Sequence, residues 1–516
     1  MSFMNKMEGV LNEDFNESTT ENGATGYRTT GKHLLDLNFA VSSLRNASPD
    51  DIRGRFEKAF AENNIYGLKW LMMCRDAREG LGERRTPKII LRYLAKVEPN
   101  IAKALIPLIP EYGRFDDLYT FFGTKCEKDA LAFIKQQFEE DQRNMRAKRP
   151  VSLLAKWLAS ENASSKETKK NAKTIRNYLG LSARNYRKEL TKMRKYLKVV
   201  EVDMSAKNWS EINYESVPSK ANLIYKNAFL RNDEERRKAY LEALSKGEAK
   251  INSSVNFPHD IVHKYMGGAW YARDISVDTA LEELWKALPD MVKEEGNTLV
   301  VRDGSGSMTV RVDNNSSVNA LEVATALAIY FSERSSGEFK DKFITFSSRP
   351  SLIDLSGCKN LAAKIRRCYQ EDDCSNTNIE ATFDLILNTA VKNHMKQEDM
   401  PKTVLIISDM EFDSATYTYY DYKRHSTVNE KLFTTIEKKF KKAGYKLPRL
   451  VFWNVNSRTG TIPVKENELG VALVSGFSVN VCKMVLSGEL DPYKCLIEQL
   501  DTERYQPVED AVKDFI

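Results

Sequence analysis

A short apolar run at residues 297–301, Asn-Thr-Leu-Val-Val, passes through Arg302 straight into Asp303-Gly304-Ser305-Gly306-Ser307, and this junction constrains the fold more than any other stretch. A β-rich run that breaks into a glycine-punctuated turn fits an open α/β sheet, where ligands bind at the carboxyl ends of strands. Asp303, Ser305 and Ser307 alternate with glycines, so a tight loop can turn three side-chain oxygens inward. Hard divalent cations prefer oxygen ligands, and magnesium keeps waters while taking only one or two carboxylates. The competing reading is a serine-rich turn that only caps a helix.

The chain beyond the junction favours the sheet. Strand-like segments at 342–348, 350–355, 403–410, 449–455 and 469–476 alternate with helix-like segments at 320–334, 361–369, 379–394 and 428–444. The alternation predicts a doubly wound α/β domain of six strands with helices on both faces over residues 296–516. The strand at 403–410 ends in an acid, Asp409, and Thr377 stands just before the helix that starts near residue 379.

Residues 33–295 are expected to form an all-α domain of a different kind. Ser48-Pro49-Asp50-Asp51 combines a capping hydroxyl, a proline at the first helical position and two acids facing the helix dipole. Apolar-periodic segments then recur at 50–62, 65–77, 87–97, 99–109, 115–123 and 128–142, broken at Gly80-Leu81-Gly82, Pro99 and Pro110. Such a series suits antiparallel helices stacked as a repeat, with a plain bundle as the alternative. Residues 1–32 are polar and are expected to be a mobile arm.

Charge is concentrated within the helical half. The chain carries a formal net charge of +6, yet residues 141–200 alone hold 17 basic and 4 acidic side chains. Over 182–200, Tyr186, Leu190, Met193 and Leu197 make an apolar stripe, while Arg184, Lys188, Lys192 and Lys195 make a basic one, with Arg187 and Arg194 beside it. A solvated face is the plain reading of a basic helix; so large a local excess points instead to a polyanion, because neutralising phosphates releases counterions. A polyanion is the expected partner. The phrase at 75–85, Arg-Asp-Ala-Arg-Glu-Gly-Leu-Gly-Glu-Arg-Arg, has nearly as many acids as bases and is read first as a corner between helices.

Asp-x-Ser-x-Ser at 303–307 resembles the metal-ion-dependent adhesion site (MIDAS) of von Willebrand factor type A domains. That resemblance implies magnesium or manganese held by Asp303, Ser305, Ser307, Thr377 and Asp409, with Ser375 or Thr382 as substitutes for Thr377. A helical repeat followed by such a domain resembles the Ro autoantigen family, whose TROVE module is a ring of HEAT-like repeats. The phrases at 75–85, 109–119, 154–161, 179–190 and 217–229 are more similar to an uncharacterised phage and plant family of the same two-module organisation. The Ro resemblance implies a ribonucleoprotein scaffold that binds structured or misfolded small RNA and admits single-stranded ends. A metal-dependent protein-interaction module, taking an Asp or Glu from a partner, is the alternative.

Other classes are disfavoured. No apolar run approaches the ~18–20 residues needed to cross a membrane, and the first 23 residues lack the features of a secretory signal. Seven cysteines without a Cys-x-x-Cys pair suit a reducing cytoplasm and argue against structural zinc. His259 and His263 are four apart but without a metalloprotease glutamate between them, so packing or capping is expected. Residues 303–309 lack the Gly-x-Ser-x-Gly frame of a nucleophile elbow, and no linear pattern pairs a nucleophile with a base, so an enzyme is not expected.

Overall fold

The computed structural model describes residues 16–20, 25–269, 275–292, 297–347, 349–370, 378–412, 428–463, 471–481 and 491–516, together with Met4 and Met7. The chain forms two compact units, and each draws on two separate stretches: Met1–Asn63 with Asn256–Leu500, and Asn64–Val255 with Asp501–Ile516.

The first unit is built on a six-stranded sheet. β1 (Glu17–Thr19) and β2 (Thr25–Tyr27) form a separate hairpin, and the sheet itself comprises β3 (Thr298–Asp303), β4 (Lys342–Phe346), β5 (Leu352–Asp354), β6 (Thr403–Ser408), β7 (Arg449–Asn454) and β8 (Val471–Ser475). The order is β5-β4-β3-β6-β7-β8, parallel except for the antiparallel β4–β5 pair. The chain therefore leaves β3 towards β4 on one side and reaches β6 on the other, which makes the β3–β6 boundary a topological switch point. Val300, Val301 and Val404–Ile407 are buried without alternation, as strands covered on both faces require.

Helix Ala320–Arg334 is buried continuously from Ala320 to Ser332, because it packs on β3, β4 and β6 with one side and on helix Pro258–Met266 with another. A helix apolar all round needs such cover. Helix Thr279–Lys286 packs on helix Leu361–Gln370 in the same unit. The compact units divide elsewhere than the expected boundary at 295/296: Asn256–Leu500 group with the sheet, the helix Pro258–Met266 supplying part of that cover, while Asp501–Ile516 group with the helical unit. Of the mobile arm expected over 1–32, most of residues 1–15 and residues 21–24 lie outside the described residues. Residues Glu17–Thr19 and Thr25–Tyr27 of that segment form the β1–β2 hairpin, with Tyr27 bridging to Ile462 and the Thr20 hydroxyl donating to the Phe412 carbonyl at 2.6 Å.

The second unit is mostly helical. Helix Asn64–Arg75 is buried from Gly67 to Arg75 and packs against helices Arg85–Val97 and Gln506–Val512. Its buried Lys69 reaches Asp501 at 3.2 Å and Glu509 at 2.8 Å, so the last residues of the chain complete this unit's core. The phrase at 75–85 forms the expected corner. A Cβ on Gly80 would lie 2.1 Å from the Met73 carbonyl oxygen, and Asp76 receives the Arg504 guanidinium at 2.8 Å. Buried Arg75 donates to buried Asp117 at 2.7 Å, and Lys88 stands 3.0 Å from the other oxygen of the same carboxylate. Burial pushes the Asp117 carboxyl up, but Arg75 and Lys88 outweigh it and hold the group below its ordinary value.

Candidate functional site

At the switch point the sheet delivers two acids to the same place. Asp303 is the last residue of β3, and Asp409 follows directly on β6, with Arg302 paired to Ile407 across the strands. Both side chains are buried. Asp303 Oδ1 accepts the Ser305 amide at 2.9 Å, its Oδ2 accepts the Ser408 hydroxyl at 2.5 Å, and the Ser305 and Ser307 hydroxyls lie 2.9 Å apart. The chain turns sharply after Asp409: Met410 is buried at φ 63°, a left-handed conformation that costs a non-glycine residue roughly 1–2 kcal/mol.

The electrostatics of the pair are unbalanced. Burial, followed by the charge of Asp303, pushes Asp409 up from 3.8 to about 7, against the downward pull of Arg458 and the Glu411 amide. Burial likewise raises Asp303 despite its bonds from Ser408 and Ser305. Asp409 Oδ2 is buried and has no hydrogen bond among the described residues, its nearest cation being Arg458 Nη2 at 3.5 Å. Two apposed carboxylates with one orphaned oxygen, ringed by hydroxyls, fit a hard cation. Among the described residues no group of three or more His, Cys, Asp or Glu side chains is placed to hold a metal, so hydroxyls and water would have to complete the shell. Thr377 and its substitute Ser375 lie outside the described residues. Thr382 is buried in helix Ile379–Lys392, where its hydroxyl donates to the Asn378 carbonyl at 3.2 Å.

Three neighbours have no clear signature in the sequence. Ser408 buttresses Asp303, and its place beside Asp409 at a strand end is the one available signal. Arg458 contacts both Asp409 and the Ser307 carbonyl. Buried Glu411 accepts the amides of Arg458 and Thr459 at 2.8 and 2.9 Å and so fixes the loop that carries Arg458. Nothing periodic connects these positions in the chain.

The basic residues lie on the helical unit. In helix Ala183–Tyr196, Tyr186, Leu190 and Met193 are buried, while Arg184, Lys188, Lys192 and Lys195 are exposed on the rest of the surface. Lys192 pairs with Glu189 at 2.8 Å, and exposed Arg187 stands 3.8 Å from Glu161. Arg194 is different: its guanidinium donates to the carbonyls of Ala155 and Leu158 at 2.8 and 2.7 Å and to the Ser160 hydroxyl at 2.9 Å. These bonds satisfy the carbonyls around the short helix Leu154–Trp157, which corrects the expectation that Arg194 faces RNA. The structure adds a second basic row. Lys166, Lys169, Lys170 and Lys173 are exposed at i, i+3, i+4, i+7 spacing on one face of helix Lys166–Tyr178.

Residues 150–298 match a family described as a domain of unknown function, DUF2828, and residues 297–513 match a second, DUF7788, described in the same words. The chain is also 29% identical to an uncharacterised protein of Acanthamoeba polyphaga mimivirus, an alignment spanning 96% of this chain and 89% of the viral one. The two family matches meet at the first residues of β3, whereas the compact units divide at Val255 and Asn256.

Proposed function

We propose that this protein is a cytoplasmic RNA-binding scaffold, similar in organisation to the Ro family, whose helical unit binds small structured RNA. The observation that carries the reading is the pair of exposed lysine rows on helices Lys166–Tyr178 and Ala183–Tyr196, in a segment holding 17 basic and 4 acidic side chains. Among the described residues, Arg184, Lys188 and Lys195 form no ion pair, so their charge is available to phosphate. The reading takes the helical unit as a TROVE-like, HEAT-like repeat, and A-form grooves hide base edges, so shape and single-stranded ends would be recognised rather than long sequences. Charge reversal at Lys188, Lys192 and Lys195 should weaken binding across sequences and flatten its salt dependence by about 0.7–0.9 in the log–log slope per lost phosphate contact. Filter binding of a small hairpin at several salt concentrations measures both. Unchanged affinity and slope in a folded triple variant would leave the row as a solvated face. A hairpin with a free tail should also outcompete a blunt duplex of equal length.

The α/β unit supports a second reading, that of a von Willebrand factor type A-like adhesion module, and the orphaned Oδ2 of Asp409 favours it. Asp303 and Asp409, with the Ser305 and Ser307 hydroxyls, would hold magnesium or manganese, and Thr377 would join them as the resemblance implies. A bound ion would supply a positive centre for a carboxylate from a protein partner. Glu411 would keep Arg458 in place beside it. Calorimetric titration with each metal tests the site, and absence of binding would refute it. A protein partner released by chelation, with no RNA in the preparation, would favour this reading over the first.

A further inference from the structure

Away from the carboxylate pair, the α/β unit assembles three side chains that neither reading employs. His263, in helix Pro258–Met266, lies between the other two: its Nδ1 is 2.9 Å from Glu322 Oε2 and its Nε2 is 2.9 Å from Ser317 Oγ. Glu322 is completely buried, His263 is largely buried, and Ser317 is exposed. The sequence places the histidine 54 residues from the serine and 59 from the glutamate, so only the fold unites them.

Hydrogen bonding fixes the polarity of this chain of groups. Glu322 Oε1 accepts the Gly268 amide at 2.8 Å and its Oε2 accepts the Asn319 amide at 3.1 Å. A carboxylate so engaged accepts once more from the imidazole, which places hydrogen on Nδ1 and leaves the Nε2 lone pair towards the Ser317 hydroxyl. Hydroxyl, imidazole and buried carboxylate in this order are the working parts of an activated serine nucleophile.

The loop around Ser317 is held in place by its own amides. An antiparallel bridge joins Arg311 to Asn319, and the Val312 amide donates to the Val318 carbonyl at 3.0 Å. The amides of Asn315 and Ser316 donate to Asp313, and that of Val318 donates to the Ser316 hydroxyl. Among the described residues the Ser317 amide has no such partner. It is therefore available as an oxyanion donor, a part that the nucleophile's own amide can play. Gly268 permits this approach, since a Cβ there would stand 2.6 Å from the Ser317 carbonyl oxygen.

We propose that Ser317, His263 and Glu322 form a catalytic set that hydrolyses accessible carboxylic esters. Ser317 Oγ bonds to the ester carbonyl carbon as its proton passes to His263 Nε2. The carbon–oxygen bond to the alcohol breaks, and the departing oxygen takes that proton. Water then attacks the acyl-serine with the same base, which frees the carboxylic acid and restores the hydroxyl. Glu322 is the positioning residue.

The test treats the full-length protein with a fluorophosphonate probe and, separately, with p-nitrophenyl acetate. One adduct is expected, mapped to Ser317 by peptide mass spectrometry and absent from Ser317→Ala, whose exposed change leaves the fold intact. Labelling should slow at least ~100-fold in His263→Gln, within the roughly 10⁴-fold losses seen when a triad member is removed. Ester turnover should fall to background in both variants. His263 also ties its helix to the loop, so Ser317→Cys supplies a second arm: iodoacetamide should alkylate it at least about tenfold faster than Asn315→Cys, an exposed control without the base. Failure to label Ser317 in the wild type, equal labelling in a folded His263→Gln, or equal alkylation of the two cysteine variants would each overturn the proposal and leave a structural tether.

Discussion

Replacing Asp409 with Asn should stabilise the metal-free α/β unit at alkaline pH. The Asp409 carboxyl is pushed from 3.8 to about 7 by burial and by Asp303. An acid whose folded-state pKa is raised contributes stability that is complete below its unfolded value, near 4, and is lost as the pH climbs through about 7. At 1.36 kcal/mol per unit, about three units correspond to a penalty of about 4 kcal/mol above pH 8. Asn keeps the shape and the acceptor for the Glu411 amide while removing the charge. In EDTA at pH 8 the variant should therefore be about 2–4 kcal/mol more stable than the wild type, a Tm gain of very roughly 4–16 °C at about 2–4 °C per kcal/mol. At pH 4.5, less than one unit above the ordinary value of 3.8, the gap should shrink to about 1 kcal/mol. Differential scanning calorimetry at pH 4.5, 6 and 8 gives the comparison, since the titration of all distant groups cancels between the proteins. Magnesium at about one hundred times its Kd should return about 2.7 kcal/mol to the wild type and leave the variant unmoved. Equal Tm values at pH 8 in EDTA would refute the argument, because the Asp409 carboxylate would then carry no penalty from burial or from Asp303.

Arg194→Ala should cost about 2–4 kcal/mol, as it strips charged donors from the Ala155 and Leu158 carbonyls, yet leave the salt slope of RNA binding nearly unchanged; urea melts and filter binding separate the two effects. Asp117→Asn deprives buried Arg75 and half-exposed Lys88 of their shared charge and should destabilise the helical unit by about 3–5 kcal/mol in urea. Because the Asp117 carboxyl is held low, its stabilisation is present at neutral pH and is lost as the pH falls through and below the ordinary carboxylate range, so the gap between wild type and Asp117→Asn should narrow there.

The features legible in the sequence are those written in local patterns. Six strands and the helices between them follow from periodicity, and the Ser48 cap behaves as its neighbours require, accepting the Asp51 amide at 3.1 Å. The acid ending β6 meets the acid ending β3 because strand ends at a switch point are neighbours by topology alone. Contacts made across distance leave no such mark. Nothing near residue 258 announces that its helix covers helix Ala320–Arg334, because an amphipathic face does not name its partner. Arg194 shows the converse limit: it belongs to a basic stretch by composition, but its place in the three-dimensional turn gives its donors to carbonyls. The lysines at 166, 169, 170 and 173 are countable as charge yet visible as a face only when the 3.6-residue period is laid over them.

The interleaving of the two units has a consequence for the order of events during synthesis. Residues 64–255 leave the ribosome without the segment that neutralises Lys69 and receives the Asp76 carboxylate, since Asp501, Arg504 and Glu509 come last. At ~5–20 residues per second, the intervening stretch occupies on the order of ten seconds or more, during which Lys69 lacks both its acidic partners and the helix Gln506–Val512 that packs on its own helix. Chaperones or an early-bound polyanion would meet that unit before residues 501–516 do. Maturation of the helical half is thereby tied to the emergence of residues 501–516, and nascent chains stalled before residue 501 should be protease-sensitive in residues 64–112 while chains that carry this segment are not.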